Sequence, residues 1–159
     1  MVKLRIKNFG PIRYGCENSE GWIEFKKITV FIGDQGTGKS TIAKIFSTFS
    51  WLEKAVVKKE LDEKIFATKS FFRSKILSYH RIEDYLNDGT VIEYDGEGVY
   101  FKYENGELSF SEKEKRYQIP QIMYIPSERN ILTFLKNPQD FKMLSGSLLD
   151  LLRKYKSSL

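Results

Sequence analysis

Residues 2–9, VKLRIKNF, alternate in character: Leu4 and Ile6 fall on one side and Lys3, Arg5 and Lys7 on the other. A period of two is the mark of a half-buried strand. Gly10-Pro11 ends it. A polar loop through Gly15, Asn18, Ser19 and Gly21 leads to Trp22, Ile23 and Phe25, a second strand broken at Lys26-Lys27. The β-branched apolar run Ile28-Thr29-Val30-Phe31-Ile32 then reads as a buried parallel strand. After a glycine-rich turn, Ile42, Ile45, Phe46, Phe49, Leu52 and Val56 recur at helical spacing, the stripe of a helix packed on a core. A second helical pattern runs through Leu61, Ile65, Phe72, Ile76, Tyr79, Ile82 and Leu86 and stops at Asn87-Asp88-Gly89. It is too short for a coiled-coil seam and predicts one or two helices docked on the domain.

The period then returns to two. TVIEYD (90–95), VYFKY (99–103) and ELSFS (107–111) are short strands separated by Gly96-Glu97-Gly98 and by Asn105-Gly106, and Asn-Gly is a strong hairpin signal. They predict an antiparallel three-stranded meander, followed by a solvated loop at SEKEKR (111–116). IMYIP (122–126) is short and wholly apolar, as an interior parallel strand would be. Ser127, Glu128, Arg129 and Asn130 follow it, either at a functional strand end or in a proline-terminated turn with Ser127 capping the next helix. The chain reads as helical from Ile131, is broken near Asn137-Pro138, and ends in a leucine-rich helix from Leu148 to Tyr155. These patterns predict one α/β domain over 1–159. Strands, a glycine-rich loop and a first helix occupy 1–57, a helical insertion 58–88, the meander 89–118, and a core strand with C-terminal helices 119–159.

Composition narrows the class. At 159 residues, with 14% aromatic and 30% charged residues, the chain can bury a core and reads as neither disordered nor membrane-bound. The charged, alternating N-terminus is unlike a signal peptide. The single Cys16 excludes an intrachain disulfide, and one cysteine with one histidine, His80, makes no ordinary zinc site. A cytoplasmic location follows as the default. The net charge of +5 is compatible with nucleic acid, but the lysines and arginines are scattered, and a solvated surface plus a phosphate pocket accounts for it nearly as well.

The chemistry concentrates in the turn after Ile32. GDQGTGKS fits G-x-x-x-x-G-K-[ST], a phosphate-binding loop, in the strand-to-helix setting that the motif requires. Gly33, Gly36 and Gly38 permit backbone angles that let successive N–H groups of Asp34, Gln35, Thr37 and their neighbours point into one concavity. The helix starting near Lys39 adds unpaired N–H groups, including that of Thr41, and the positive end of its dipole. Lys39 would place an ammonium on the β- and γ-phosphates, and the Ser40 hydroxyl would enter the Mg²⁺ shell. The pattern predicts ATP and Mg²⁺ as ligands.

KLRIKNFGPI at the N-terminus, IEFKKITVFIGDQGTGKSTIAKIF, a helical insertion, an antiparallel meander and YIPSERN together resemble the N-terminal half of an ATPase head of the ABC/SMC/RecF-like class. Within it they resemble bacterial AAA-type ATP-binding proteins related to OLD-family nucleases. The resemblance runs to about residue 130. It implies a P-loop NTPase-type mixed sheet carrying the meander and the helical insertion, the N-terminal lobe of such a head. It implies that Gly33 to Thr41 hold phosphate and Mg²⁺ and that the loop after the first strand, with Asn8 and Phe9, lies on the base side. It also implies an ATP-dependent head-to-head dimer or a complementary chain, and a possible DNA partner, for which the chain has no motif of its own.

The departures from the class bear on turnover. Related heads use a second acidic strand, four apolar residues and then Asp-Glu, and this chain has none. Ser127, Glu128 and Arg129 occupy the region where the class carries a γ-phosphate-sensing glutamine. Leu144-Ser145-Gly146-Ser147 is similar to the L-S-G-G signature but fits a helix N-cap better. His80 stands in the wrong place for a histidine that contacts the γ-phosphate. The expectation is therefore Mg-ATP binding, with hydrolysis weak or dependent on a second chain that supplies the acidic strand and signature. The alternatives are a small P-loop nucleotide or metabolite kinase and a non-catalytic interaction module.

Overall fold

A computed structural model of the chain describes residues 1–16, 19–61, 63–66, 68–114, 117–125, 146, 148–150 and 153. Its strands are β1 (Val2–Lys7), β2 (Trp22–Phe25), β3 (Val91–Asp95), β4 (Val99–Glu104) and β5 (Glu107–Glu112), joined in one sheet of order β2-β1-β3-β4-β5. Every pairing is antiparallel. One long helix, α1 (Lys39–Val57), lies across one face of the sheet, so the protein is α/β with a layer of helix on a layer of sheet.

The alternation read in the sequence becomes the core. Leu4, Tyr94, Phe101 and Phe110 stand in register across four strands, as do Ile6, Ile92, Tyr103 and Leu108 one step along. All but the partly buried Phe110 lie inside. α1 presents Ile45, Phe49, Leu52 and Val56 to these rows, and the Phe49 ring stacks on Tyr94 with centroids 5.6 Å apart. Burying one such side chain contributes roughly 1.5–3 kcal/mol. The opposite face is polar and paired. Arg5 forms an ion pair with Glu93, Tyr100 donates to the same carboxylate at 2.5 Å, and the Arg5 guanidinium lies 4.9 Å from the centre of the Trp22 ring.

The meander follows the expected pattern. At its Asn105-Gly106 turn both residues take positive φ, 52° and 80°, as a two-residue hairpin of this twist requires. β5 extends to Glu112, into the segment expected to be a loop.

The sheet is not the mixed sheet expected. The two apolar runs meant to supply parallel strands, Ile28–Ile32 and 122–125, are outside every strand. Ile28, Val30 and Ile32 are 81%, 73% and 93% exposed. Apolar β-branched residues favour an extended chain, but a strand also needs a neighbour for its N–H and C=O groups. Among the described residues no strand lies beside either run.

The expected helices over 61–86 are also broken up. Glu63–Phe66 (α2) and Lys69–Phe71 (α3) are followed by a π turn at Phe72–Ile76 and 3-10 turns at Leu77–His80 and Glu83–Tyr85. The Ser74 and Ser78 hydroxyls donate to the carbonyls of Ser70 and Ser74, at 2.6 and 2.7 Å. Such back-bonding competes with the regular ladder. Arg81, at φ 53°, ends the series in the left-handed region.

Candidate phosphate-binding site

The loop 33–38 connects the extended segment 28–32 to the first turn of α1. Phe31 anchors the segment. Its ring packs edge-on against Phe25 at 6.0 Å, and Phe25 stacks on Phe46 of α1 at 3.9 Å. The loop is thus fixed from two sides even though the residues flanking Phe31 are exposed.

Within the loop, Gly36 and Gly38 have φ of 83° and 92°, a region that a Cβ disfavours by roughly 1–2 kcal/mol per residue. Gly38 is also the residue before α1. Ile42 N–H donates to its carbonyl at 2.9 Å, which leaves the N–H groups of Lys39, Ser40 and Thr41 without intrahelical partners at the helix start. The Thr37 hydroxyl closes the turn onto the Asp34 carbonyl at 2.9 Å. The Lys39 ammonium folds into the loop and donates to the carbonyls of Gly33, at 2.7 Å, and Asp34, and to Thr37 Oγ1 at 3.2 Å. The start of α1 and the Lys39 ammonium meet at this exposed loop, and a helix start with an ammonium suits an anion of several oxygens.

In the first turn of α1, Ser40 is exposed and Thr41 is buried. Among the described residues no three His, Cys, Asp or Glu side chains gather as a metal site. A Mg²⁺ ion here would be held by Ser40 and by the phosphate oxygens that accompany it, the open coordination this ion favours.

The loop after β1 closes against the loop 33–38. A Cβ on Gly38 would stand 2.8 Å from Ile12 Cγ1 and 3.5 Å from Pro11 Cγ. Phe9 is fully buried and packs edge-on to Tyr85 at 5.6 Å. The Asn8 amide donates to the Gly89 carbonyl at 3.2 Å, while its own carbonyl accepts from Asn87 and Thr90. Both residues meet internal partners, and Pro11 and Ile12 supply the contact with Gly38. Gly10-Pro11 reads in the sequence as the end of β1 and as part of the base-side loop, and the packing of Pro11 and Ile12 on Gly38 had no local signal.

Ser127, Glu128, Arg129 and Asn130 lie outside the described residues, and of Leu144–Ser147 only Gly146 is among them. Glu53 also went unmarked in the sequence. It sits on the apolar stripe of α1, one turn beyond Phe49, and is 3% exposed. A carboxylate on such a stripe is the sequence signal of a buried acid. Comparison with protein-family models, with curated proteins and with solved structures returns no match.

Proposed function

We propose that the chain binds Mg-ATP as the N-terminal lobe of an ABC/SMC-like ATPase head. The observation that carries this reading is the loop itself: Gly36 and Gly38 at positive φ, the Lys39 ammonium folded inside, and three unpartnered N–H groups where α1 begins. In this reading the amides and Lys39 hold the β- and γ-phosphates, and Ser40 contributes to the Mg²⁺ shell. The bound nucleotide supplies the phosphoryl group. The residues of this chain bind and orient it and neutralise its charge from one side.

Hydrolysis is weak or depends on a complementary chain that supplies the acidic strand and signature. Two features support that dependence. The sequence carries no acidic strand of the required form, and the extended segment leading into the loop exposes Ile28, Val30 and Ile32 with no strand beside it among the described residues. A strand added there would cover that apolar surface and stiffen the approach to the loop. An ATP-dependent head-to-head pair is the other arrangement compatible with a one-sided site, and DNA enters only through the family resemblance.

Calorimetry of the full chain with Mg-ATP tests the reading. Several charge-assisted hydrogen bonds at roughly 1.5–3 kcal/mol each support micromolar affinity. Lys39→Ala should weaken binding by at least about tenfold. Unchanged affinity in that variant would refute the site. Brisk ATP turnover by the chain alone would refute the need for a complement, and phosphate transfer to a small acceptor would favour the kinase.

A further inference from the structure

Between β2 and the loop 33–38, the run Ile28-Thr29-Val30-Phe31-Ile32 is held at two points and open along its length. The Thr29 hydroxyl accepts from the Lys26 N–H at 3.0 Å and donates to the Lys26 carbonyl at 3.3 Å. Phe31 packs on Phe25. Among the described residues, 28–32 make no backbone hydrogen bond and no strand pairing, and Ile28, Val30 and Ile32 project into solvent. A β-branched apolar run without proline, glycine or charge is a template on which another strand can pair.

The order of the residues decides which strand fits. When two identical runs pair antiparallel about a two-fold axis at Val30, Ile28 stands opposite Ile32, Thr29 opposite Phe31, and Val30 opposite itself. Residues directly opposite point to the same side of the ribbon. The three exposed side chains of one copy therefore meet the same three of the other. A one-residue slip sets Val30 opposite Phe31 and breaks that match. Beyond the ends of the run, the same register sets Lys26 of each copy against Asp34 of the other. Both residues are exposed, and among the described residues neither has an ion-pair partner within its own chain. A parallel in-register stack, as in a fibril, would instead set Lys26 on Lys26 and Asp34 on Asp34. Like charges placed opposite one another destabilise a pairing. The pattern fits a closed pair rather than an open stack.

We propose that two copies of this chain associate by antiparallel pairing of residues 28–32 about a two-fold axis at Val30, with Lys26 of each copy paired to Asp34 of the other. The anchors at Thr29 and Phe31 hold each run before it pairs, which lowers the cost of ordering it. The interface is smaller than the roughly 1,200–2,000 Å² of stable complexes, so the association is weak, with a Kd of about 10–100 µM. At low micromolar concentration the chain is a monomer with these side chains in water. The pairing needs no nucleotide and does not rest on the reading of the loop as a phosphate site.

Sedimentation velocity of the full chain without nucleotide, from about 5 to 500 µM, should show monomer passing into dimer with that Kd. Asp34→Lys sets two lysines together at each end of the ribbon and should weaken dimerisation about 3- to 30-fold, and Lys26→Asp should do the same with two acids. The double variant Lys26→Asp with Asp34→Lys exchanges the charges and should recover native dimerisation to within about threefold. Val30→Lys puts two ammonium groups on the axis and should abolish dimerisation. Circular dichroism checks the folding of each variant. The proposal is overturned if the native chain stays monomeric over the whole range or grows beyond a dimer. It is also overturned if Val30→Lys or either single charge variant dimerises as the native chain does, or if the double variant fails to recover what the single variants lose. Should Val30→Lys fail to fold, the charge exchange decides alone.

Discussion

Replacing Glu53 should be among the costliest single changes on α1. Its Oε2 accepts from the Tyr94 hydroxyl at 2.9 Å, and its Oε1 accepts from the N–H groups of Gly98 and Val99 at 2.7 and 3.2 Å. One buried carboxylate thus ties the middle of α1 to the β3–β4 hairpin. Glu53→Ala leaves a phenol and two amides to find new partners, at roughly 1–3 kcal/mol for each that stays unmatched. Partial wetting of the hole and the Ser50 hydroxyl, 3.3 Å from Tyr94 Oη, offset some of that. The expected net loss is about 3–5 kcal/mol, a large share of the roughly 5–15 kcal/mol by which domains are stable. Glu53→Gln keeps one carbonyl oxygen for the two amides and turns an N–H towards Tyr94, which can pass its own proton to Ser50. It should cost only about 1 kcal/mol, the loss of charge assistance. Urea unfolding followed by circular dichroism measures both variants, and Tyr94→Phe completes a double-mutant cycle. A loss below about 1 kcal/mol in Glu53→Ala, or additivity of Glu53→Ala with Tyr94→Phe to within about 0.5 kcal/mol, would refute the tie.

Three further outcomes follow from the same structure. The His80 pKa, lowered to about 4 by burial first and then by the charge of Lys44, means that the unfolded chain takes up a proton which the folded chain refuses between pH 6.5 and about 4. The stability that this contributes is complete above pH 6.5 and is lost as pH falls towards 4, by up to about 3 kcal/mol. His80→Gln should flatten that part of the urea-midpoint profile, and a profile that kept its slope would refute the assignment to His80. Gly38→Ala adds a Cβ at positive φ against Ile12, so it should lower stability by about 1–2 kcal/mol and weaken Mg-ATP together, and normal binding by calorimetry would contradict the loop geometry. Val30→Thr and Ile32→Thr remove exposed apolar surface and should change the unfolding free energy from urea titration by less than about 0.5 kcal/mol; a loss above about 1 kcal/mol in either would mean that these side chains are buried in solution.

The parts of this fold that could be read from sequence are those where one residue's chemistry fixes its local geometry. Leu4 and Ile6 alternate with charges because β1 has one buried and one polar face, and Asn105-Gly106 announces a turn whose φ values few other pairs adopt. The glycine-rich motif at 33–40 is legible for the same reason, since its glycines, lysine and serine stand within one short span. Ile28–Ile32 misled because β-branched apolar residues report a preference for extended chain and for cover, whereas pairing depends on what lies alongside. The region 61–86 carries a helical stripe, but the pattern does not weigh the hydroxyls of Ser74 and Ser78 against the ladder.

The placing of β1 also has a consequence for the order of events during synthesis. β1 lies inside the sheet, with β2 on one side and β3 on the other. Its pairing with β2 is available early, since Val2 meets Phe25. Its pairing with β3 waits until Asp95 has left the ribosome to meet Lys3, roughly 5–15 s later at ordinary rates of translation. During that interval Leu4 and Ile6 have no inner-face neighbours from the meander, and α1 has no β3–β4 hairpin to cover. The nascent chain must keep a two-stranded ribbon and an uncovered helix in solution until the meander arrives, which makes this window the one in which a chaperone would have the most apolar surface to grip.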